Sequence, residues 1–121
     1  MRYTIQGRLL GLNDMTHQNR FSYGAKKKAE TQRCAWATVG RIPQITQPIE
    51  IEIWWYEQNE KRDIDNVAAG IKFILDGLVV SGKLPNDTRK WVKGIKHHFP
   101  IDKENPRIEI VIRSHSERTS A

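Results

Sequence analysis

The chain has 121 residues and carries 20 lysines and arginines against 14 acids, a net charge of +6. That length suits one domain with one core. The single cysteine, Cys34, excludes an internal disulfide and leaves a thiolate zinc site without partners. No apolar run approaches the roughly 20 residues that span a bilayer, and the opening MRYTIQGRLLGLND has no apolar core of a signal peptide, so a reducing cytoplasm is the expected setting, with no membrane partner. The basic excess suits a polyanion such as nucleic acid; ordinary solubility charge is the plainer alternative.

Loose alternation from Arg2 to Leu10 predicts a first strand, ended by Gly11-Leu12-Asn13-Asp14. Met15 to Tyr23 is polar and irregular and reads as a loop. A helix is expected from Lys26 to Val39, with Ala29, Arg33, Trp36 and Ala37 at helical spacing. Its opening lysines, Lys26, Lys27 and Lys28, sit badly at a helix N-terminus unless they meet phosphate. Gly40 to Pro48 is a connector. Ile49 to Tyr56 is the clearest strand, with Ile49, Ile51, Ile53 and Trp55 on one side and Glu50, Glu52, Trp54 and Tyr56 on the other. The aromatic end of the second side is open to cover by a helix or a partner chain.

From Ile64 or Asp65 to about Leu78 the period becomes helical, with a stripe of Val67, Ile71, Ile74, Leu75 and Leu78, and Asp63 or Asp65 placed to cap it. Val79 to Asn86 is a loop. Trp91 to Phe99 and Arg107 to Arg113 are the last strands. The predicted architecture is α+β: a small mixed or antiparallel sheet with two helices packed on it, one domain over residues 1–113 and a polar tail over 114–121.

The chemistry gathers in KRDIDNVAAGIKFILDGLVVSGKLPND. On a helical wheel Asp65, Lys72 and Asp76 fall within about 40° of one another, opposite the apolar stripe. Asp63 stands just before the helix, and Asp87 follows in a loop that can fold back. Magnesium is a hard cation held by one or two carboxylates, several waters and substrate phosphate. Two carboxylates in a D-x-D spacing, with a later acid, suit that ion, and a nearby lysine supplies fixed positive charge to a phosphoryl transition state. The plain alternative is a capping aspartate with a Lys72–Asp76 surface pair.

The same stretch resembles the RusA family of Holliday junction resolvases, especially its phage and prophage members. The shared elements are Arg62-Asp63-Ile64-Asp65-Asn66 at a helix start, then Lys72, then Leu75-Asp76-Gly77-Leu78, then Gly82 and Asp87; Gly11-Leu12-Asn13 and the basic segment after it match the family's N-terminal part. The resemblance runs from about Tyr3 to Ile112. Two departures stand out: Val67 to Ile71 lengthen the gap between Asn66 and Lys72, and Asn86 precedes a single Asp87 where the family often has two acids.

The resemblance implies a magnesium-dependent endodeoxyribonuclease, with manganese as a possible substitute, in which Asp63, Asp65 and Asp87 hold metal, Lys72 serves cleavage and Asp76 is a weaker metal candidate. It also implies a homodimer that nicks two opposed strands of a four-way junction, matching two-fold symmetry to two-fold symmetry. A non-catalytic DNA-binding dimer, or a nuclease acting on other branched DNA or RNA, is the rival reading. Expected DNA contacts are Asn13, Lys26, Lys27, Lys28, Arg62, Asn66, Arg89 and Lys90, with Arg20, Arg33 and Lys93 as further basic candidates. His97 and His98 point opposite ways in a strand and so do not share a metal. Trp54, Trp55 and Trp91 are expected in the core or at a dimer contact, and Cys34 carries no assigned chemistry.

Overall fold

The alternation in IEIEIWWY does make a strand, β2 (Ile49–Tyr56), buried and half-buried residue by residue. With β1 (Arg2–Gln6), β3 (Val92–His98) and β4 (Arg107–Ser114) it forms a mixed sheet of order β1-β4-β2-β3. β4 runs antiparallel to β1 and β2, whereas β3 runs parallel to β2. The helices are α1 (Leu12–Thr16), α2 (Arg20–Ala37), α3 (Ile64–Ala68) and α4 (Ile71–Val80). The computed structural model describes residues 1–16 and 20–115, with the backbone alone at 16 and 20–22. The architecture is α+β.

One core joins the sheet to the helices. Ile51, Ile53 and Trp55 of β2 and Ile108, Ile110 and Ile112 of β4 pack with Phe73, Ile74 and Leu78 of α4 and Cys34 of α2. Each such side chain contributes about 1.5–3 kcal/mol on burial. Two glycines let the layers approach. A Cβ on Gly77 would lie 2.6 Å from the Cys34 Cβ and 2.9 Å from the Ala35 backbone nitrogen, so α4 crosses α2 in direct contact. A Cβ on Gly70 would lie 3.1 Å from the Trp55 ring.

Several expectations change. The first strand stops at Gln6 rather than Leu10, because Gly7 adopts a φ of 77° and its N–H turns to the Pro106 carbonyl at 3.0 Å. The predicted loop from Met15 holds helix instead: α1 starts at Leu12, and α2 starts at Arg20, six residues before Lys26. The three lysines therefore lie within α2 rather than at its N-terminus, and the dipole penalty expected there does not arise. Residues 17–19 of that loop lie outside the described residues, as does the side chain of Arg20.

The stripe assigned to this helix is also turned. Trp36 is 72% exposed, while Cys34, Ala35 and Thr38 are buried, because small residues are what the crossing at Gly77 accommodates. The single helix expected from residue 64 to 78 is broken at Ala69 and Gly70, and α4 continues to Val80. Among the described residues there are thus four helices rather than two. Ser114 belongs to β4, not to a tail, and the His115 N–H donates to the Pro48 carbonyl at 2.9 Å; residues 116–121 lie outside the described residues. Among the described residues no helix is long and apolar enough to cross a membrane.

Candidate metal and nucleic-acid site

The R-D-x-D-N run stands at the start of α3, as its pattern predicts. Asp63 is the N-cap residue, with extended backbone (φ −65°, ψ 155°), and its carbonyl accepts the Val67 N–H at 3.1 Å. An N-cap aspartate ordinarily turns its side chain onto the helix amides. Asp63 does not: its side chain makes no capping bond. Asp65 follows in the first turn. Both are exposed, and neither carboxylate has a hydrogen bond or ion pair among the described residues.

The neighbours of these acids are held firmly. Arg62 donates from Nε and Nη2 to the two carboxylate oxygens of Glu57, each at 2.8 Å, and from Nη1 to the Leu9 carbonyl at 3.0 Å. Its side chain is only 11% exposed. Asn66 is buried, and its Oδ1 accepts the Asn13 backbone N–H at 2.9 Å. A Cβ on Gly11 would come within 2.4 Å of that same oxygen, so only glycine lets the Gly11–Asn13 segment dock here. Asp14 closes the turn by accepting the Gly11 N–H at 2.8 Å. Arg62 and Asn66 therefore brace the start of α3 through the fold itself. The Arg62 guanidinium and the Asn66 amide oxygen, both expected at the DNA, are thus also engaged within the fold.

Asp87 stands in the segment that follows α4. With Asp76, Lys27, Lys28, Gln32 and Asn86 it lines a groove of about 460 Å³ between α2 and the second half of α4. Asn86 Oδ1 accepts from the Thr88 N–H at 3.2 Å and the Thr88 hydroxyl at 2.6 Å, which shapes the turn carrying Asp87. That oxygen is thus engaged locally rather than free for a metal. The structure brings Asp76 and Asp87 to one groove together with two of the three lysines. Asp63 and Asp65 do not line it. Among the described residues no three His, Cys, Asp or Glu side chains form a group that could hold a metal ion.

Lys26, Lys28, Lys72, Arg89, Lys90 and Lys93 are exposed, and Lys27 is half-buried. Arg33, by contrast, donates to the Gln6 and Arg8 carbonyls and pairs with Glu30, which itself accepts the Leu10 N–H at 2.9 Å. It fastens α2 to the end of β1.

The two histidines do separate to opposite sheet faces. His97 Nδ1 accepts the indole N–H of Trp55 at 2.8 Å, and burial together with the nearby His98 holds its pKa below the usual value. His98 bonds to Glu52 and stacks on Trp54 at 4.8 Å between ring centroids. Glu52 also accepts from Arg113 at 2.9 Å, and these bonds, that to His98 first, hold its carboxyl below the ordinary range. Trp54 therefore lies on the open face, and only Trp55 is fully buried. Cys34 is fully buried, and that burial pushes its thiol up to about 12.

Gln32 was missed by the sequence reading as a groove residue. Its spacing of four from Lys28 on α2 was the available signal.

For a metal, the fitting donors are Asp63 and Asp65: two exposed carboxylates with their oxygens uncommitted, as a hydrated magnesium ion sharing a phosphate requires. No family model matches the chain, and no curated protein matches it.

Proposed function

We propose that the protein is a magnesium-dependent endodeoxyribonuclease of the Holliday-junction-resolvase kind, working as a cytoplasmic homodimer on branched DNA. One observation carries the reading: two exposed carboxylates at a braced helix start have no partner among the described residues, and the N-cap one, Asp63, makes no capping bond. Carboxylates kept from local partners are available to a hard cation. The resemblance of Arg62 to Asp87 to the RusA signature supplies the reaction class.

In this reading Asp63 and Asp65 hold the metal from the start of α3, and Arg62 and Asn66 keep them in position through Glu57, Leu9 and Asn13. A bound magnesium ion, or manganese in its place, supplies an acidified water and neutralises charge on the scissile phosphate. Lys72 offers fixed positive charge to the same phosphate. Lys27 and Lys28 hold neighbouring phosphates along the groove, where Asp87 and Asp76 stand ready to add carboxylates. The dimer presents two equivalent sites to a two-fold symmetric junction.

The test is cleavage of a synthetic four-way junction, with flap, duplex and single-stranded DNA alongside, with and without magnesium. Asp63→Asn and Asp65→Asn are each expected to lose more than about 100-fold in rate while still binding the junction. Undiminished cleavage by either variant removes that residue from the site. Junction binding by the wild type without any magnesium-dependent cleavage would instead establish the non-catalytic DNA-binding dimer.

A further inference from the structure

The most exposed large apolar side chain among the described residues is Trp36, at 72%, in the last turn of α2; Val39, just past the helix end, is 58% exposed. Presenting an indole to solvent leaves unburied the side chain with the most apolar surface to gain from burial. These two residues border a groove of about 610 Å³ whose lining also includes Gln6, Arg41, Asn105 and Arg107. That lining is mainly polar, unlike the apolar groove that would receive a helix or a hydrophobic segment of another protein. Gln6 and Asn105 carry amide donors and acceptors suited to a base edge.

The two arginines differ. Arg107 is bound to Asp102 at 2.8 Å and stacks 3.8 Å from the Tyr56 ring centroid. Arg41 is exposed, and its guanidinium has no hydrogen bond or ion pair among the described residues. An aromatic plane, amides and an uncommitted cation make the usual set for an unpaired nucleotide.

The position of Trp36 connects this groove to the other. Lys28, Gln32 and Trp36 succeed one another at spacings of four, and all are exposed. Lys28 and Gln32 line the groove that holds Asp76 and Asp87. Lys28 and Trp36 are about 12 Å apart along the helix axis, a length that a few nucleotides cover.

We propose that α2 is a track for an unpaired nucleic-acid strand, with Lys28 on a phosphate, Trp36 stacked on a base and Arg41 on the next phosphate. This rests on the nucleic-acid reading above and adds the single strand as a ligand in its own right. The test is fluorescence anisotropy with labelled oligo-dT and oligo-U of about 12 nucleotides. Trp36→Ala is expected to weaken binding of the preferred oligonucleotide about tenfold, and Trp36→Phe to retain most of it. Arg41→Ala should lower affinity and reduce the salt slope by about one.

Equal binding by Trp36→Ala and the wild type overturns the proposal. So does a drop in sedimentation mass in Trp36→Ala, which would assign this surface to a second copy of the chain. Junction cleavage by the wild type, measured in parallel, keeps the two readings apart. Cleavage with Trp36-independent oligonucleotide binding refutes the track alone, and Trp36-dependent binding without cleavage refutes the nuclease alone.

Discussion

Two acid-bearing regions of this molecule treat their carboxylates in opposite ways. On the open face of the sheet, Glu52 is bound by His98 and Arg113, and Glu50 stands 3.5 Å from His115. At the start of α3, Asp63 and Asp65 have no partner among the described residues, although Arg62 and Asn66 beside them are bound into the fold. Paired acids contribute to holding a surface together. Acids left unpaired on a stiff support contribute little to stability and leave their charge for something outside the fold. The contrast separates charge that the fold uses from charge that it leaves unused.

The contrast can be broken most directly at the support. Glu57→Gln leaves the Arg62 guanidinium, 11% exposed, with Asp14 at 4.0 Å as its remaining carboxylate, and is expected to lower stability by about 3 kcal/mol in denaturant melts. A loss below about 1 kcal/mol would mean the brace is only a surface pair. Asp63→Asn and Asp65→Asn should show the reverse, with cleavage lost and the same melts unchanged or slightly raised. Next in size is Gly77→Ala, which pushes a methyl group into the Cys34 Cβ and the Ala35 backbone and should cost about 1–3 kcal/mol. An unchanged melt would show that α2 and α4 can part freely.

A smaller effect is expected at His97 on changing pH. His97 has a lowered pKa in the fold and accepts the Trp55 N–H only when neutral. The unfolded chain takes up the proton first, so stability is lost as pH falls through about 6.5, the ordinary imidazole value. His97→Gln, which keeps an acceptor for the indole, should flatten that part of the stability curve. The smallest expected change is at Glu52. Its lowered pKa contributes stability above the ordinary carboxylate range that is lost as pH falls through it, so Glu52→Gln should cost less than about 1 kcal/mol at pH 7 and soften the acid limb.

The strands were the most legible part of the sequence. β2 has the expected bounds and β4 differs by one residue at its end, because strict period-two alternation admits one burial pattern. The parallel pairing of β3 with β2 was not legible, since it depends on a crossover and not on local pattern. In α2, small residues rather than large ones mark the buried face, and a stripe drawn through Trp36 points the helix the wrong way. The break at Ala69 and Gly70 shifts the helical phase, so the fully buried Phe73 falls outside the stripe read for a continuous helix. For the candidate site, the motif located Asp63, Asp65 and the helix start. It did not show that Arg62 and Asn66 serve as braces, which follows from contacts with Leu9 and Asn13, more than fifty residues away.

The crossing of α2 over α4 has a practical consequence. The chain's one thiol is enclosed there against Gly77, with its proton held tightly. A thiol-specific reagent can reach Cys34 only while the two helices stand apart. Its labelling rate is therefore a built-in clock for that opening, readable without adding a probe. Slower labelling in the presence of DNA would report that the ligand clamps the two helices whose outer edges form the groove.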